Sequence, residues 1–314
     1  MKWNGVKSDT KSVNGGGAQG GLFGILEYLS QNNDCANFLS VKDRYKFIDD
    51  LSILEVINLI SIGISSYNCT QQVPSDIQTG NNYLPPDNIQ TQDNLNKICE
   101  WTNNKKMEIN TEKSKYMIIN FTNNYQFNTR LKLEQDLIQQ ITQTRLLGVI
   151  LDDQLSFQSN TDFLVRKAFK RMCILAKLYE FSVPLKDLVL IYTLYIRSVV
   201  ENSAVVWHSS LTQGQTLELE RVQKVALRII LKTDYISYED ALEKTSLTKL
   251  SERREKLCKT FALKCTRNPK TRDMFPLNSK SYDTRKPEKY FVTPANTNRL
   301  ACSAIPYMQR LLNC

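Results

Sequence analysis

The sequence has almost no histidine, a residue that most zinc sites and nucleophilic triads use. It holds one histidine, His208, beside Trp207, and nothing nearby in the chain supplies partners for catalysis, so the pair reads as packed structure. The eight cysteines (Cys35, Cys69, Cys99, Cys173, Cys258, Cys265, Cys302 and Cys314) form no CxxC pair, which excludes a zinc knuckle or finger by spacing. They read as buried or incidental thiols of a reduced, intracellular protein. No apolar run is long enough to span a bilayer, since Leu51–Ile64 is broken by Glu55 and Asn58. The first twenty residues are polar and glycine-rich, unlike a signal peptide. The glycine run Gly15–Gly21 is not followed by GK[ST], which excludes a Walker loop. No internal repeat is visible.

What is present is an uneven charge. The chain has 314 residues, enough for two modest domains, and a formal net charge of +9. Residues 1–150 carry 14 Lys and Arg against 15 Asp and Glu, whereas residues 151–314 carry 27 against 17. The positive excess thus falls entirely in the second half. That half is suited to a polyanion, and the first half to a site whose acids hold cations.

Periodicity places a helix over Leu22–Leu29 and a short strand over Tyr45–Ile48 that turns at Asp49-Asp50. A long polar loop, Cys69–Asp93, leads to a helix over Gln92–Thr102. Strands are expected at Lys115–Phe121 and Leu146–Leu151, with Gly148 marking a close backbone approach. Beyond Asp152-Asp153 the pattern is helical: one helix carries Phe163, Ala168, Phe169, Met172, Leu175 and Leu178, and a second runs from Pro184 through Val200. A third covers Leu217–Leu231, a fourth about Leu250–Cys265, and the tail from Asn268 is irregular until Ile305–Leu312.

Phe47-Ile48-Asp49-Asp50 is the segment richest in chemistry. Adjacent carboxylates repel each other, and placing them beside an apolar run calls for a cation to offset the cost. Two-metal polymerases need such a pair, because the Mg²⁺ it holds stabilises the attacking and leaving oxygens of phosphoryl transfer. In the glycine run, Gly17 and Gly20 let backbone approach a substrate, and Gln19 can hydrogen-bond a base or sugar edge. Lys113, before a strand, carries an ammonium able to protonate a pyrophosphate leaving group. In the third helix, Arg221, Lys224, Arg228 and Lys232 recur at steps of three or four, opposite Leu219, Val222, Val225, Ala226, Ile229 and Ile230. Arg166, Lys167, Lys170, Arg171 and Lys177 add charge on an earlier helix. Such a stripe suits a phosphate backbone, where affinity comes from counterion release.

In this order, the pieces resemble the reverse transcriptase of non-LTR (LINE-type) retrotransposons. Gly17-Ala18-Gln19-Gly20-Gly21 resembles that family's motif B, with Ala18 for the usual proline and Gly21 for the usual serine. Phe47-Ile48-Asp49-Asp50 resembles motif C, Asn110-x-x-Lys113 motif D, and Leu146-Leu147-Gly148-Val149 the primer-grip strand of motif E. Val205-Val206-Trp207 and Leu219-Glu220-Arg221-Val222-Gln223-Lys224 resemble the thumb and the region after it.

The resemblance implies an α+β fold: a partial polymerase palm, antiparallel sheet with helices, over 1–150. A helical thumb over 151–265 and a basic C-terminal extension over 266–314 follow. It implies RNA-directed DNA polymerisation on an RNA template and DNA primer, with deoxynucleoside triphosphates as substrates. Asp49 and Asp50 would bind Mg²⁺, Phe47 would contact the primer end, and Gly17, Gln19 and Gly20 would line the nucleotide pocket. Lys113 would be the leaving-group acid, and the basic stripe would track the duplex. The family's motif A aspartate has no counterpart before Gly15, so the expectation is a truncated chain, inactive alone. The alternative is a non-catalytic nucleic-acid-binding remnant.

Overall fold

The computed structural model describes residues 2–3, 6–7, 44–47, 50–54, 90–121, 130–278 and 289–314. The architecture is mixed α and β, with two compact units, Met1–Ile141 and Thr142–Cys314.

In the first unit, strands β1 (Lys2–Trp3) and β2 (Val6–Lys7) form one small antiparallel ladder. Strands β3 (Arg44–Phe47) and β4 (Asp50–Ile53) form another, with Phe47 opposite Asp50. Alternation along β4 puts Leu51 and Ile53 on one face, where they pack with Ile109 around Ile98 of helix α1 (Gln90–Asn104). Strand β5 (Lys115–Tyr116) runs parallel to β8 (Gln139–Gln140), and β6 (Lys132–Leu133) pairs antiparallel with β7 (Asp136–Leu137). The Gln92 side-chain amide serves as a strand partner, accepting from Lys132 N and donating to Lys132 O, both at 2.9 Å. The strand expected over Lys115–Phe121 is shorter than its composition suggests. Its ladder engages only Lys115 and Tyr116, and a strand persists only where a neighbour pairs with it.

The second unit opens with a hairpin of β9 (Gln143–Leu146) and β10 (Val149–Asp152). This corrects the single strand expected over Leu146–Leu151. The chain reverses at Leu147 (φ 47°) and Gly148 (φ 90°), and a two-residue turn with both φ positive matches the twist of antiparallel strands. Asp152 then redirects the chain: its carboxylate accepts from the backbone N–H of Gln154, Ser156 and Phe157 at 2.9–3.1 Å.

The helices follow as α2 (Gln158–Glu180), α3 (Leu185–Val200, with a π-helical stretch at Tyr192–Arg197), α4 (Ala204–Trp207) and α5 (Gln213–Leu231). Next come α6 (Tyr238–Thr245), α7 (Leu250–Arg267), α8 (Asn298–Ala301) and α9 (Ala304–Asn313). The start of α5 is fixed by a capping box in which Thr212 and Gln215 satisfy each other's backbone N–H. The long helices of the second half thus lie close to their expected places, while α4, α6 and α8 went unforeseen, α8 falling in a tail expected to be irregular until Ile305. Leu164, Ala168, Met172 and Leu175 of α2 share one buried stripe. They join Leu188, Tyr192 and Ile196 of α3 and Leu219, Val222, Ala226 and Ile230 of α5 in one core. A smaller core gathers Cys258 and Cys265 of α7 with Phe275, Met308 and Leu311, so the tail packs on α7. Among the described residues no single helix is long and apolar enough to cross a membrane. One bent pair, Leu185–Val200 with Ala204–Ser210, passes on length and composition, and its Tyr192, Ile196, Val200 and Trp207 lie fully buried in the core.

A polar network crosses that core. The Glu220 carboxylate accepts from the Tyr238 hydroxyl, from Leu250 N at 3.0 Å and from Ser251 N at 3.2 Å, joining α5 to the starts of α6 and α7. Gln223, one turn on, accepts from the Tyr192 hydroxyl at 2.7 Å and donates to Tyr238 Oη and Thr248 O. Burial and the bond to Glu220 hold the Tyr238 phenol far above its usual pKa. Replacing Glu220 by Ala would orphan three donors and remove negative charge near the fully buried Arg254. We predict a loss of about 3–5 kcal/mol in unfolding free energy for Glu220→Ala, against a smaller loss for Glu220→Gln. Urea unfolding followed by far-ultraviolet circular dichroism checks this, and equal losses in both variants would refute it.

Candidate nucleic-acid interface

At about 100° per residue, Arg221, Lys224, Arg228 and Lys232 fall within an arc of roughly 80° on one side of α5. Leu219, Val222, Ala226 and Ile230 are buried on the other side, and Leu227 and Leu231 are buried along the flank next to Lys224. Val225 and Ile229, expected among the buried set, are half-buried at its margin. Lys232 stands just past the helix as its C-cap, with φ 45°. Arg221, Arg228 and Lys232 are exposed, and Lys224 is half-buried.

Each of the four cations lies over an aromatic ring. Arg221 sits 5.8 Å from the ring centre of Phe169, and Lys232 4.6 Å from that of Tyr179, both rings being on α2. Lys224 lies 5.0 Å from Tyr238 and Arg228 5.3 Å from Tyr235. These contacts, with the bond from Gln215 Nε2 to Ser156 O, show that α2 and α5 run in the same direction. A ring face attracts a cation without neutralising it. Arg221 also makes an exposed ion pair with Glu218 at 3.7 Å, weakly held in water. Lys224, Arg228 and Lys232 make no ion pair with the described residues. On α2, Arg166, Lys167, Lys170 and Lys177 are exposed, and Arg171 is half-buried, 4.3 Å from the Tyr195 ring centre.

The other candidates are less completely placed. Gly17, Gln19, Gly20 and Asp49 lie outside the described residues. Phe47 and Asp50 are cross-strand partners at the end of the β3–β4 hairpin. Lys113 is exposed on a tight turn, its backbone N–H donating to Asn110 Oδ1 at 2.9 Å. Among the described residues, no three His, Cys, Asp or Glu side chains gather to hold a metal.

The aromatic seats were not foreseen from the sequence, although Tyr235 and Tyr238 follow Lys232 closely enough to have signalled them. Trp207 and His208 are structural. Trp207 is fully buried and donates Nε1 to Asn202 O at 3.0 Å. His208 Nδ1 accepts from Arg254 Nε at 3.4 Å, and its ring meets Tyr307 edge-on. The sequence matches no protein-family model, and no curated protein or solved structure matches it.

Burial, with the neighbouring Arg254 charge, lowers the His208 pKa from 6.5 to about 4. The folded state therefore binds the proton less tightly than the unfolded chain. Stability from this group is complete above about pH 6.5 and is lost as the pH falls toward 4. After allowance for partial exposure, the expected loss is on the order of 1–2 kcal/mol. His208→Gln, which keeps an acceptor for Arg254 but cannot titrate there, should flatten that part of the stability–pH curve. An unchanged slope between pH 6.5 and 4 would show that other groups dominate it.

Proposed function

We propose that the chain is a nucleic-acid-binding part of a non-LTR retrotransposon reverse transcriptase, with residues 151–265 following the template–primer duplex as its thumb. One observation carries the reading: four cations on one face of α5, each seated on an aromatic ring. From Arg221 to Lys232 the helix advances about 16 Å, which matches roughly five phosphates of one strand. The seats restrict side-chain motion, so less conformational entropy is lost when phosphates are engaged. The order of the motif-like segments supports the same reading, as do hairpins at Phe47/Asp50 and at Gly148. In this proposal Asp49 and Asp50 hold Mg²⁺, which would stabilise the developing charge of phosphoryl transfer. Phe47 meets the primer end, Gly17, Gln19 and Gly20 line the nucleotide pocket, and Lys113 protonates the leaving group. With only these two motif carboxylates, the purified chain should extend a primer weakly or not at all.

A second reading, a non-catalytic nucleic-acid-binding remnant of such a polymerase, is favoured by the cation face itself, whose four residues all belong to Thr142–Cys314 and need no metal to meet phosphates.

The test is binding of the full chain to an RNA–DNA duplex across a salt series, with and without Mg²⁺. Steep weakening with salt is expected. The triple variant Arg221→Gln, Arg228→Gln, Lys232→Gln should reduce the slope of log affinity against log salt by about three. An unchanged slope would overturn the interface. Mg²⁺ dependence lost in Asp49→Asn and Asp50→Asn favours the polymerase reading; no Mg²⁺ dependence in the wild type favours the simple binder.

A further inference from the structure

A second concentration of positive charge lies away from the α5 face. The β9–β10 turn, α2 and the end of α3 enclose a cleft of about 180 Å³. Arg145, Lys167 and Arg171 line it together with Ser198, Asn202 and the backbone at Gly148. No carboxylate is among the lining residues. Two acids adjoin lining residues in sequence: Asp162, whose Oδ1 accepts from Gln158 Nε2 at 2.9 Å, and Glu201, engaged with Arg197 at 3.4 Å and Arg253 at 3.0 Å. Arg145 and Lys167 share one ring, Phe163, at 5.0 and 5.6 Å from its centre. One aromatic ring does not offset two positive charges.

The walls are built from fixed parts. Arg171 is tied by Nη1 to Tyr195 O in the π-helical stretch of α3. Asn202 is held through its carbonyl by the buried Trp207 indole, and its amide nitrogen stands 3.7 Å from where a Cβ at Gly148 would lie. Gly148 keeps that wall low and supplies the positive φ the turn requires.

We infer that this cleft binds a phosphomonoester. Three cationic residues line one cleft with a neutral amide donor, and the space suits a phosphate with part of its sugar. A bridging diester carries one negative charge, whereas a phosphomonoester carries about 1.5 to 2 near neutral pH and presents three acceptor oxygens. Such charge-assisted bonds strengthen with acceptor charge. The proposal rests on the nucleic-acid reading for its ligand class and adds what that reading lacks: preference for a phosphorylated end. The source is a strand terminus or a free mononucleotide.

The experiment uses the full chain and two short RNA–DNA duplexes that differ only in carrying a terminal 5′-phosphate or a 5′-hydroxyl, with adenosine monophosphate as a separate competitor. The phosphorylated duplex is expected to bind about tenfold more tightly at fixed salt. Arg145→Gln and the double variant Arg145→Gln, Asn202→Ala should each erase that gain and leave hydroxyl-ended binding within about twofold. Competition by the mononucleotide, lost in both variants, identifies a free nucleotide as ligand. Discrimination between duplex ends without such competition identifies the strand terminus. Equal binding of the two duplexes together with no mononucleotide competition would overturn the proposal. So would a gain that survives both substitutions. Failure of the α5 reading looks different, because hydroxyl-ended binding itself would then be absent.

Discussion

The arrangement of the helical unit depends on the buried carboxylate of Glu220. It sits on the inward side of α5 and accepts from a phenol at the start of α6 and from the first backbone N–H groups of α7. Helix starts leave N–H groups without intrahelical partners, and a carboxylate satisfies them while complementing the positive end of the helix. Lys249, at the N-cap of α7, makes no side-chain capping bond, so Glu220 supplies from another helix what the local sequence does not. Gln223 repeats the device one turn on and ties α5 to Tyr192 of α3. Burial lowers the Arg254 pKa, and the charges of Glu220 and Glu201 work against that shift. Polar groups at this depth are costly unless paired, so a shifted α5 would leave several orphans at once.

Fixing the inward side of α5 also fixes its outward side. Once Leu219, Val222, Gln223 and Ala226 face the core, helical geometry leaves Arg221 and Arg228 on the outward side and Lys224, one turn on from Glu220, half-buried at the margin. Tyr238 joins the two: its hydroxyl reaches Glu220 in the interior, while its ring lies beneath Lys224. Phe169 and Tyr179 extend the same logic to α2, whose buried stripe of Leu164, Ala168, Met172 and Leu175 turns these half-buried rings toward the margin of the core. The cations thus stand on a scaffold set by packing, and their spacing is that of a rigid helix. That is the property needed to match a regular row of phosphates, and lysines on a flexible tail would lack it.

The helical half was legible because its signal is periodic. Buried positions at steps of three and four located α2, α3, α5 and α7, and the stripe of Arg221, Lys224 and Arg228 followed from the same count. Short elements were less legible. Helix α6 spans only Tyr238–Thr245 and depends on the Ser237 cap and on Glu220, neither of which a hydrophobic pattern reports. The β9–β10 reversal was missed because Leu146–Leu151 is apolar enough to read as one strand. Leu147 in a positive-φ turn is unusual for a side chain of that size. Interactions between distant segments, such as Arg254 with His208 or Gln92 with Lys132, leave no local mark.

The same reasoning explains why the two concentrations of charge differ in how they could be found. The α5 face arises from one helix, so its spacing is written in consecutive turns. The cleft draws Arg145 from a hairpin, Lys167 and Arg171 from α2, and Asn202 from the turn after α3. Its convergence exists only once the Gly148 reversal and the Trp207–Asn202 bond bring those segments together. Arg145 precedes that reversal by three residues, and in an uninterrupted strand its cross-strand partner Ile150 would instead lie five residues further along the same strand. The turn that corrected the expected strand is therefore also what creates the cleft, and a backbone change at Gly148 would act on charge placement without altering a single charge.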